Sequence, residues 1–395
     1  MQWKPKDREP TRRHWSVNGR FLSRNATGVD RYAQEILRAM DALICEGHPL
    51  AAGLKLDILC AAGTVAASPF VSIPIRMLPS APGHFWEQFI LPGYVRGGLL
   101  SLCNTGPLAL KRQIVCIHDL NSRITPESYG LMFRAVYRFL VPALGHRAAR
   151  IVTVSRFSQK TLGQFGIAPV DEIAVIHDGY EHVLEWDADR SPLNGADLPL
   201  SFVLLVGSKA PHKNTAIIYS IAADLAAMGV HILVAGGEDA NVYARVHSGQ
   251  LPTNVKHLGR VNNDDLSFLY QRALCLVFPS KTEGFGLPVL EAMALGCPVV
   301  SSNAASLPEV CGEAVLYAPP DDAAVWLAAI GRLAAEPTLR ENLARAGLKR
   351  SKAFSWRQGA EKYLELMFAV DHGTRDGGRS SRPGTHENIV DLGRH

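Results

Sequence analysis

The chain has no Cys-x-x-Cys pair. Its seven cysteines, at 45, 60, 103, 116, 275, 297 and 311, are an odd and unpatterned set, most of them in apolar runs such as Val115-Cys116-Ile117. This argues against a zinc or disulfide framework and for reduced thiols in a cytoplasmic protein. No apolar run is long enough to span a membrane. The segment Met1 to His14 is charged and has no apolar signal core. There is no Walker pattern, which removes an NTPase, and no dinucleotide fingerprint after an early strand, which disfavours a dehydrogenase. H-E-x-x-H, zinc-deaminase spacing and G-x-S-x-G are also missing. The basic segments lack interleaved aromatic platforms, so nucleic acid is not an expected partner.

What is present describes an ordinary globular protein. At 395 residues, 47% apolar and 20% charged, the chain suits two domains better than one. Residues 1–170 hold 21 Lys and Arg against 10 Asp and Glu, a net of +11, so with a whole-chain charge of +4 the remainder carries −7. A basic first half suits an anionic partner such as a membrane surface or a phospholipid-linked acceptor; plain solvation of Arg-rich helices is the alternative.

Short apolar strands alternate with helical patterns in both halves. Strands are expected at 54–60, 72–78, 99–103, 113–117, 151–154 and 173–176, then at 202–206, 230–235, 255–259, 275–280 and 298–301. Helices are expected from about 28 to 40, in a stretch starting at His84–Phe89, and at 131–144, 215–228, 264–273, 323–335, 339–354 and 356–368. The acid- and turn-rich run Tyr180 to Pro199 reads as a linker. This alternation predicts an α/β protein with two doubly wound, Rossmann-like domains and a ligand between them. The expected division is 1–185, 186–355, a closing helix 356–370 and a disordered tail 371–395.

The most informative stretch is Glu283-Gly284-Phe285-Gly286-Leu287-Pro288-Val289-Leu290-Glu291. It follows a strand and opens a helix, with two carboxylates flanking a glycine-rich turn. Gly284 and Gly286 allow close backbone approach, and Pro288 suits a first helical turn. The N–H groups of Leu287, Val289 and Leu290 are expected to be free for an anion. A plain strand–turn–helix with two solvated glutamates is the alternative. Lys213, after Gly207-Ser208 and at a helix start, supplies a cation for a phosphate, unless it is simply a surface lysine. Carboxylates for hydroxyls and a lysine for a diphosphate fit transfer of a sugar from a nucleotide diphosphate.

Taken in order, these pieces resemble the retaining glycosyltransferases of the GT-B fold, in the large family 4 that includes bacterial polysaccharide mannosyltransferases. EGFGLPVLE matches that family's E-x7-E motif. RNATGVDRY, WEQ at 86–88, CNTGPL at 103–108, IHDL at 117–120, TVSRFSQ at 153–159, VGSKAPHKN, LGRV at 258–261 and SLPEV at 306–310 follow the same family order. The resemblance implies that Glu291 binds the nucleotide's ribose. It implies that Glu283, with the amides of Gly284, Phe285 and Gly286, holds the donor sugar. Lys213 would grip the diphosphate with the Leu287 and Val289 amides, beside Gly207 and Ser208. Gly28 would let its loop approach the phosphate or sugar, and Gly259, Arg260 and Val261 would flank the base. His118 would stabilise the transition state through its ring or backbone; away from the family it reads as a satisfied strand-end histidine.

Three departures stand out. His212 precedes Lys213 where many members have Arg, Ser208 replaces an Arg, and Asp178-Gly179-Tyr180 replaces Asn-Gly-Val. The resemblance implies net retention with no metal and no other cofactor. The favoured donor is GDP-mannose, with a UDP-hexose as runner-up. The acceptor is expected to be a polyprenyl-diphosphate-linked saccharide or a growing polysaccharide, reached at the cytoplasmic face of the inner membrane. The Leu131–Arg150 segment is expected either to meet that membrane or to be a core helix. A GT-B epimerase or phosphorylase and a non-catalytic sugar-nucleotide-binding subunit are the rival readings.

Overall fold

A computed structural model describes residues 13–23, 27–63, 69–207, 210–236 and 252–373. The strand-like runs build two parallel sheets. The first holds β1 (Arg13–Asn18), β2 (Leu54–Ala61), β3 (Ile75–Leu78), β4 (Gly98–Ser101), β5 (Gln113–Cys116), β6 (Arg150–Thr153) and β7 (Ile173–Val175), in the order 3-2-1-4-5-6-7. The second holds β8 (Phe202–Val206), β9 (His231–Ala235), β10 (Val255–Gly259), β11 (Cys275–Phe278), β12 (Val299–Ser302) and β13 (Leu316–Ala318), in the order 10-9-8-11-12-13. Register pairs apolar with apolar: Val17 lies opposite Ile58 and Leu100, and Leu204 opposite Leu233 and Leu276. Such runs are apolar on both faces because helices cover both sides of a parallel sheet.

Strand order reverses between β1 and β4, and again between β8 and β11. Ligands of open α/β sheets bind outside the carboxyl ends of strands at such reversals. A cavity of about 550 Å³ lined by Leu200, Met228 and Arg272 opens instead at the amino ends of the second sheet's strands.

Helix α1 (Gly28–Cys45) follows β1; the amide and hydroxyl of Thr27 donate to Asp30 Oδ2 at 2.9 and 2.7 Å, which fixes its first turn. Helix α2 (Leu131–Arg147) buries Leu140, Val141 and Leu144. Helix α3 (Arg156–Gln164) is capped by Ser155, whose hydroxyl accepts from the Ser158 amide at 3.0 Å. Helix α4 (Leu287–Ala294) and the last helix α5 (Trp356–His372) complete the parts that shape the site. One apolar core joins Trp15, Tyr32 and Ile58 of the first half to Phe285, Trp356 and Tyr363.

Four expectations are corrected. The helix expected at 215–228 is two, Thr215–Ser220 and Ala222–Ala227, because Ile221 leaves helical geometry at φ −103°, ψ 9°. The edge strand β13 was not expected; three residues are too few for a periodic signal. The helical stretch at His84–Phe89 is short and irregular, a turn at Gly83–Phe85 passing into a wider π-type turn at Trp86–Ile90. Helix α5 runs into the expected tail. Asp371 accepts from Arg13 Nε at 2.5 Å and from the Trp15 indole at 2.8 Å, and pairs with Arg112, so Asp371 is bound to β1 and to the residue before β5. The rest of that tail, from 374, lies outside the described residues, as do Ser208 and residues 24–26. All seven cysteines are free thiols.

Candidate active site

The two loops at the second sheet's reversal carry Lys213 and Glu283. Lys213 ends a short turn, Pro211–Lys213. Asn214 follows in the left-handed region at φ 54°, where an Asn is tolerated, and its side-chain amide donates to Pro279 O (3.1 Å) and Pro320 O (2.6 Å). That tie brings the lysine loop onto the loop after β11. Lys213 Nζ then donates to Glu283 Oε1 at 2.8 Å and lies 5.4 Å from the Phe278 ring centre. A Cβ on Gly207 would face the Lys213 stem at 3.8 Å.

The glycine-rich turn is held from below by Ser306, whose hydroxyl lies 3.0 Å from Glu283 O and 2.8 Å from Phe285 O. Gly286 has φ +110°, a conformation that side-chain-bearing residues rarely adopt, and a Cβ there would stand 2.7 Å from Leu307 Cδ2. The same twist turns its carbonyl into the helix. It accepts from the Val289 and Leu290 amides at 3.0 and 3.3 Å. The expectation that these two N–H groups stand free for an anion is therefore corrected; Leu287 opens the helix ahead of them.

Glu291, one turn into α4, is buried and triply held. His182 Nε2 lies 3.1 Å from Oε1, the Tyr270 hydroxyl donates to Oε2 at 3.2 Å, and Arg31 Nε is 3.8 Å from Oε1. The His182 tautomer follows from its other side. The Trp356 indole, which can only donate, is 3.0 Å from Nδ1, so the ring proton sits on Nε2 and points at Glu291. Trp356 therefore fixes Glu291 through His182. Asp178 is buried nearby and its Oδ1 finds no hydrogen-bond partner. Burial first, and then the Glu291 charge, push its carboxyl well above the usual range. Sequence reasoning missed His182 and Tyr270, which sit in no motif. Arg31 lay in a quoted motif without a role.

The first domain presents the end of β5. The His118 amide donates to Asn104 Oδ1 at 2.7 Å, and its ring Nε2 lies 2.8 Å from Leu102 O, so that nitrogen carries the proton. The ring packs edge-on against Tyr32 at 4.8 Å. The His118 carbonyl accepts from Ser158 Oγ at 2.8 Å, and Ser155 Oγ donates across the cleft to Gly284 O at 2.7 Å. A Cβ on Gly284 would stand 2.7 Å from His118 O and 3.3 Å from Asp119 Cβ. Gly284 is thus the point where the domains meet backbone to backbone. Thr282 adds a bond to Asn121 Oδ1 at 3.0 Å.

Asp119 lay in the quoted IHDL motif without a role. Burial, with a smaller push from the Glu283 charge, raises its carboxyl to about 6 against the opposing Asn121 amide and Lys213. The Tyr129 phenol is pushed up by burial and by the Asp119 and Glu283 charges. His212 does not replace the family's arginine as a cation. It is buried, Ser128 Oγ lies 3.1 Å from its Nδ1, and burial lowers its pKa.

The remaining expected residues have simpler surroundings. A Cβ on Gly28, the first residue of α1, would meet nothing. Gly259 has φ +70° and accepts from the Gly236 amide at 2.7 Å; Arg260 is exposed and Val261 packs on the core. The structure brings Lys213, Glu283, Gly284 and His118 together. Glu291 stands apart from them with its own partners, and Ser208 lies outside the described residues.

Residues 193–350 match the family model described as "Glycosyl transferases group 1". The chain is 32% identical over 267 residues to O-antigen chain mannosyltransferase B of Escherichia coli, covering 63% of this chain and 68% of that protein. It is 29% identical over 333 residues to O-antigen chain mannosyltransferase RfbU of Salmonella typhimurium, covering 80% and 89%. Among solved structures, sucrose-phosphate synthase from Thermosynechococcus elongatus superimposes with TM-score 0.71 at 20% identity, covering 92% of this chain and 100% of that one. WaaG, a glycosyltransferase involved in lipopolysaccharide biosynthesis, does so with TM-score 0.67 at 14% identity, covering 90% and 99%. These structures share the two-sheet GT-B fold, and with the sequence relatives they place the chain: it belongs to the group 1 glycosyl transferases.

Proposed function

We propose that this protein transfers mannose, with retention of configuration, from a nucleotide-diphosphate mannose to a saccharide acceptor in cell-surface polysaccharide synthesis. The observation that carries the reading is the Lys213–Glu283 pair at 2.8 Å, set at the second sheet's reversal and facing His118 and Asp119 across Gly284. Lys213 serves the diphosphate and Glu283 the sugar hydroxyls, so the bond to be broken lies between them. The names of the relatives supply the sugar, mannose.

Glu291 holds the ribose diol. As the C1–O bond to the diphosphate breaks, Lys213 offsets the charge developing on the leaving oxygen. The acceptor hydroxyl attacks C1 from the same face and its proton passes to that phosphate oxygen. We assign His118, at the end of β5, to the positive charge that develops at C1. We assign this chemistry to the protein's own groups, without a metal. Chelation by EDTA is expected to leave the rate unchanged; loss of activity that Mg²⁺ restores would overturn that assignment.

The acceptor we propose is linked to a polyprenyl diphosphate and met at a membrane surface. Helix α2 supports this. Leu131, Met132 and Phe139 are 79%, 80% and 72% exposed, so this face is not a core face, and Arg134 and Arg138 lie among them. No helix among the described residues is long and apolar enough to cross a membrane. Flotation with liposomes is expected to require anionic lipid.

The central test incubates the protein with a panel of nucleotide sugars, with and without lipid-linked acceptor, and measures nucleotide release and product. Acceptor-dependent release from a mannose donor is expected. Glu283→Gln should lower it by about 100-fold or more, in the range of a lost transition-state contact. Undiminished transfer by that variant would sink the site assignment, and conversion of the donor without acceptor would favour an epimerase.

A further inference from the structure

The short helix Leu307–Cys311, after β12, carries Glu309 to the edge of the cleft. Three donors reach the Glu309 carboxylate, and all three belong to the first domain. The Arg156 amide donates to Oε1 at 2.9 Å and the Phe157 amide to Oε2 at 3.2 Å; both open α3. His177, just past β7, has its Nε2 2.9 Å from Oε1, and because an ionised carboxylate only accepts, that nitrogen carries the proton. Burial opposes the charge on Glu309, but the His177 and amide hydrogen bonds outweigh it and hold the carboxyl below its usual range. The positive end of α3 favours the same ionised form. The contacts Ser155–Gly284 and Thr282–Asn121 join the domains through neutral groups. Hydrogen bonds to a charged acceptor are about twice as strong.

The same segment grips the glycine-rich turn. Arg350 donates from Nε to Val310 O at 2.9 Å and from Nη2 to Glu309 O at 2.6 Å, so the backbone under the carboxylate is fixed within the second domain. Ser306, at the start of the segment, holds the carbonyls of Glu283 and Phe285, and Leu307 lies against Gly286. The His177 ring meets the turn as well. Its centre is 5.9 Å from that of Phe285 and, edge-on, 5.5 Å from that of Phe354. A pull on Glu309 from the first domain is therefore felt by the turn that carries Glu283.

We infer that Glu309 is a positioning residue for the transfer step: its carboxylate clasps the first domain when the cleft is closed, and the segment Ser306 to Glu309 passes that closure to the Glu283–Gly286 turn. The inference rests on the transferase reading. Closed, the cleft sets Gly284 against His118 and keeps water from the donor. Unclasped, the second domain still carries Lys213, Glu283 and Glu291 and still holds the nucleotide. Water then takes the sugar in place of the acceptor, releasing the nucleoside diphosphate and free mannose.

Steady-state rates, calorimetric titration with GDP and UDP, and small-angle scattering on the full chain test it. Glu309→Gln removes the charge and sets an N–H against a donor. It should lower kcat by about tenfold or more, the scale of lost hydrogen bonds to a charged group. The Kd of whichever nucleotide binds the unchanged chain should stay nearly the same, and more free mannose should form per mannose transferred. Arg156→Pro approaches the contact from the other side. Proline suits this first helical position, and Ser155 before it is already extended at φ −154°, ψ 161°, so the helix is kept while the N–H is lost. Alone it should act like Glu309→Gln; in Glu309→Ala it should add little, because the two changes act on one contact. With nucleotide bound, each single variant should show a larger radius of gyration than the unchanged chain. Unchanged kcat in both variants, additive effects of Arg156→Pro and Glu309→Ala, or loss of nucleotide binding together with kcat would overturn the inference. If the unchanged chain transfers mannose in that case, the transferase reading stands. An unchanged chain that transfers no sugar from any donor would remove that reading, and this one with it.

Discussion

At the residue scale the least expected features are carboxyl groups whose protonated form is favoured by burial. Asp119 is raised from 3.8 to about 6 and Asp178 well above its usual range, each chiefly by burial. The sign follows directly. A carboxyl with a raised folded pKa favours the fold fully below its unfolded pKa, near 4, and that contribution is lost as pH rises toward 6. Asp119 is half-buried, so solvent reduces the full linkage value, and about 1–2 kcal/mol is expected to disappear between pH 4 and 6. Asp119→Asn should flatten that part of the profile and leave the variant the more stable by that amount at pH 7. Denaturation midpoints at pH 4.5 and 7 measure it; an unchanged difference between the two pH values would contradict the assignment. Asp178→Asn should likewise gain over the unchanged chain as pH rises, because burial and the Glu291 charge penalise the Asp178 carboxylate. In the motifs Asp119 has no role and Asp178 is only a departure from Asn. Their titration depends on what the fold packs around them.

At the element scale the last helix does more than close the chain. Its first residue, Trp356, fixes the His182 tautomer and so the Glu291 carboxylate, and Glu181 accepts from the Trp356 amide at 3.0 Å. Trp356→Phe keeps the packing and removes the indole donor. It should raise the KM for the nucleotide sugar several-fold, about 1 kcal/mol, with kcat changed less. Equal loss in both would point to a packing role instead. The turn Glu283–Gly286 makes the other element-scale contact. A methyl at Gly284 would meet the His118 carbonyl at 2.7 Å, and neither is the end of a flexible side chain. Gly284→Ala should therefore separate the domains and cut transfer by at least about tenfold while the chain stays folded. Small-angle scattering showing an unchanged radius of gyration together with normal transfer would refute this.

At the scale of the whole molecule the two sheets are joined at several points beside the site. Glu309 accepts from the amides of Arg156 and Phe157, at the start of α3, at 2.9 and 3.2 Å, and His177 Nε2 lies 2.9 Å from it. Near the other end of the described chain, Asp371 is buried against Arg13, Trp15 and Arg112. Removing one partner of such a group leaves charge uncompensated. Asp371→Ala should cost about 3 kcal/mol in unfolding free energy, and truncation after residue 370 should do the same. A loss under about 0.5 kcal/mol would show the contact to be incidental.

The sequence by itself determined the alternation of strands and helices, the two-sheet class and the position of EGFGLPVLE between a strand and a helix. Each depends on short-range periodicity and on glycine and proline chemistry, which are written locally. Tertiary structure alone decided that Lys213 pairs with Glu283 across 70 residues of chain, and that Glu291 is held by a linker histidine and a tryptophan of the last helix. It also decided that two of the three amides expected to cradle an anion bond Gly286 instead. Local sequence specifies which groups a segment carries. Which partners satisfy them depends on contacts between distant segments, and only the assembled fold brings those segments together.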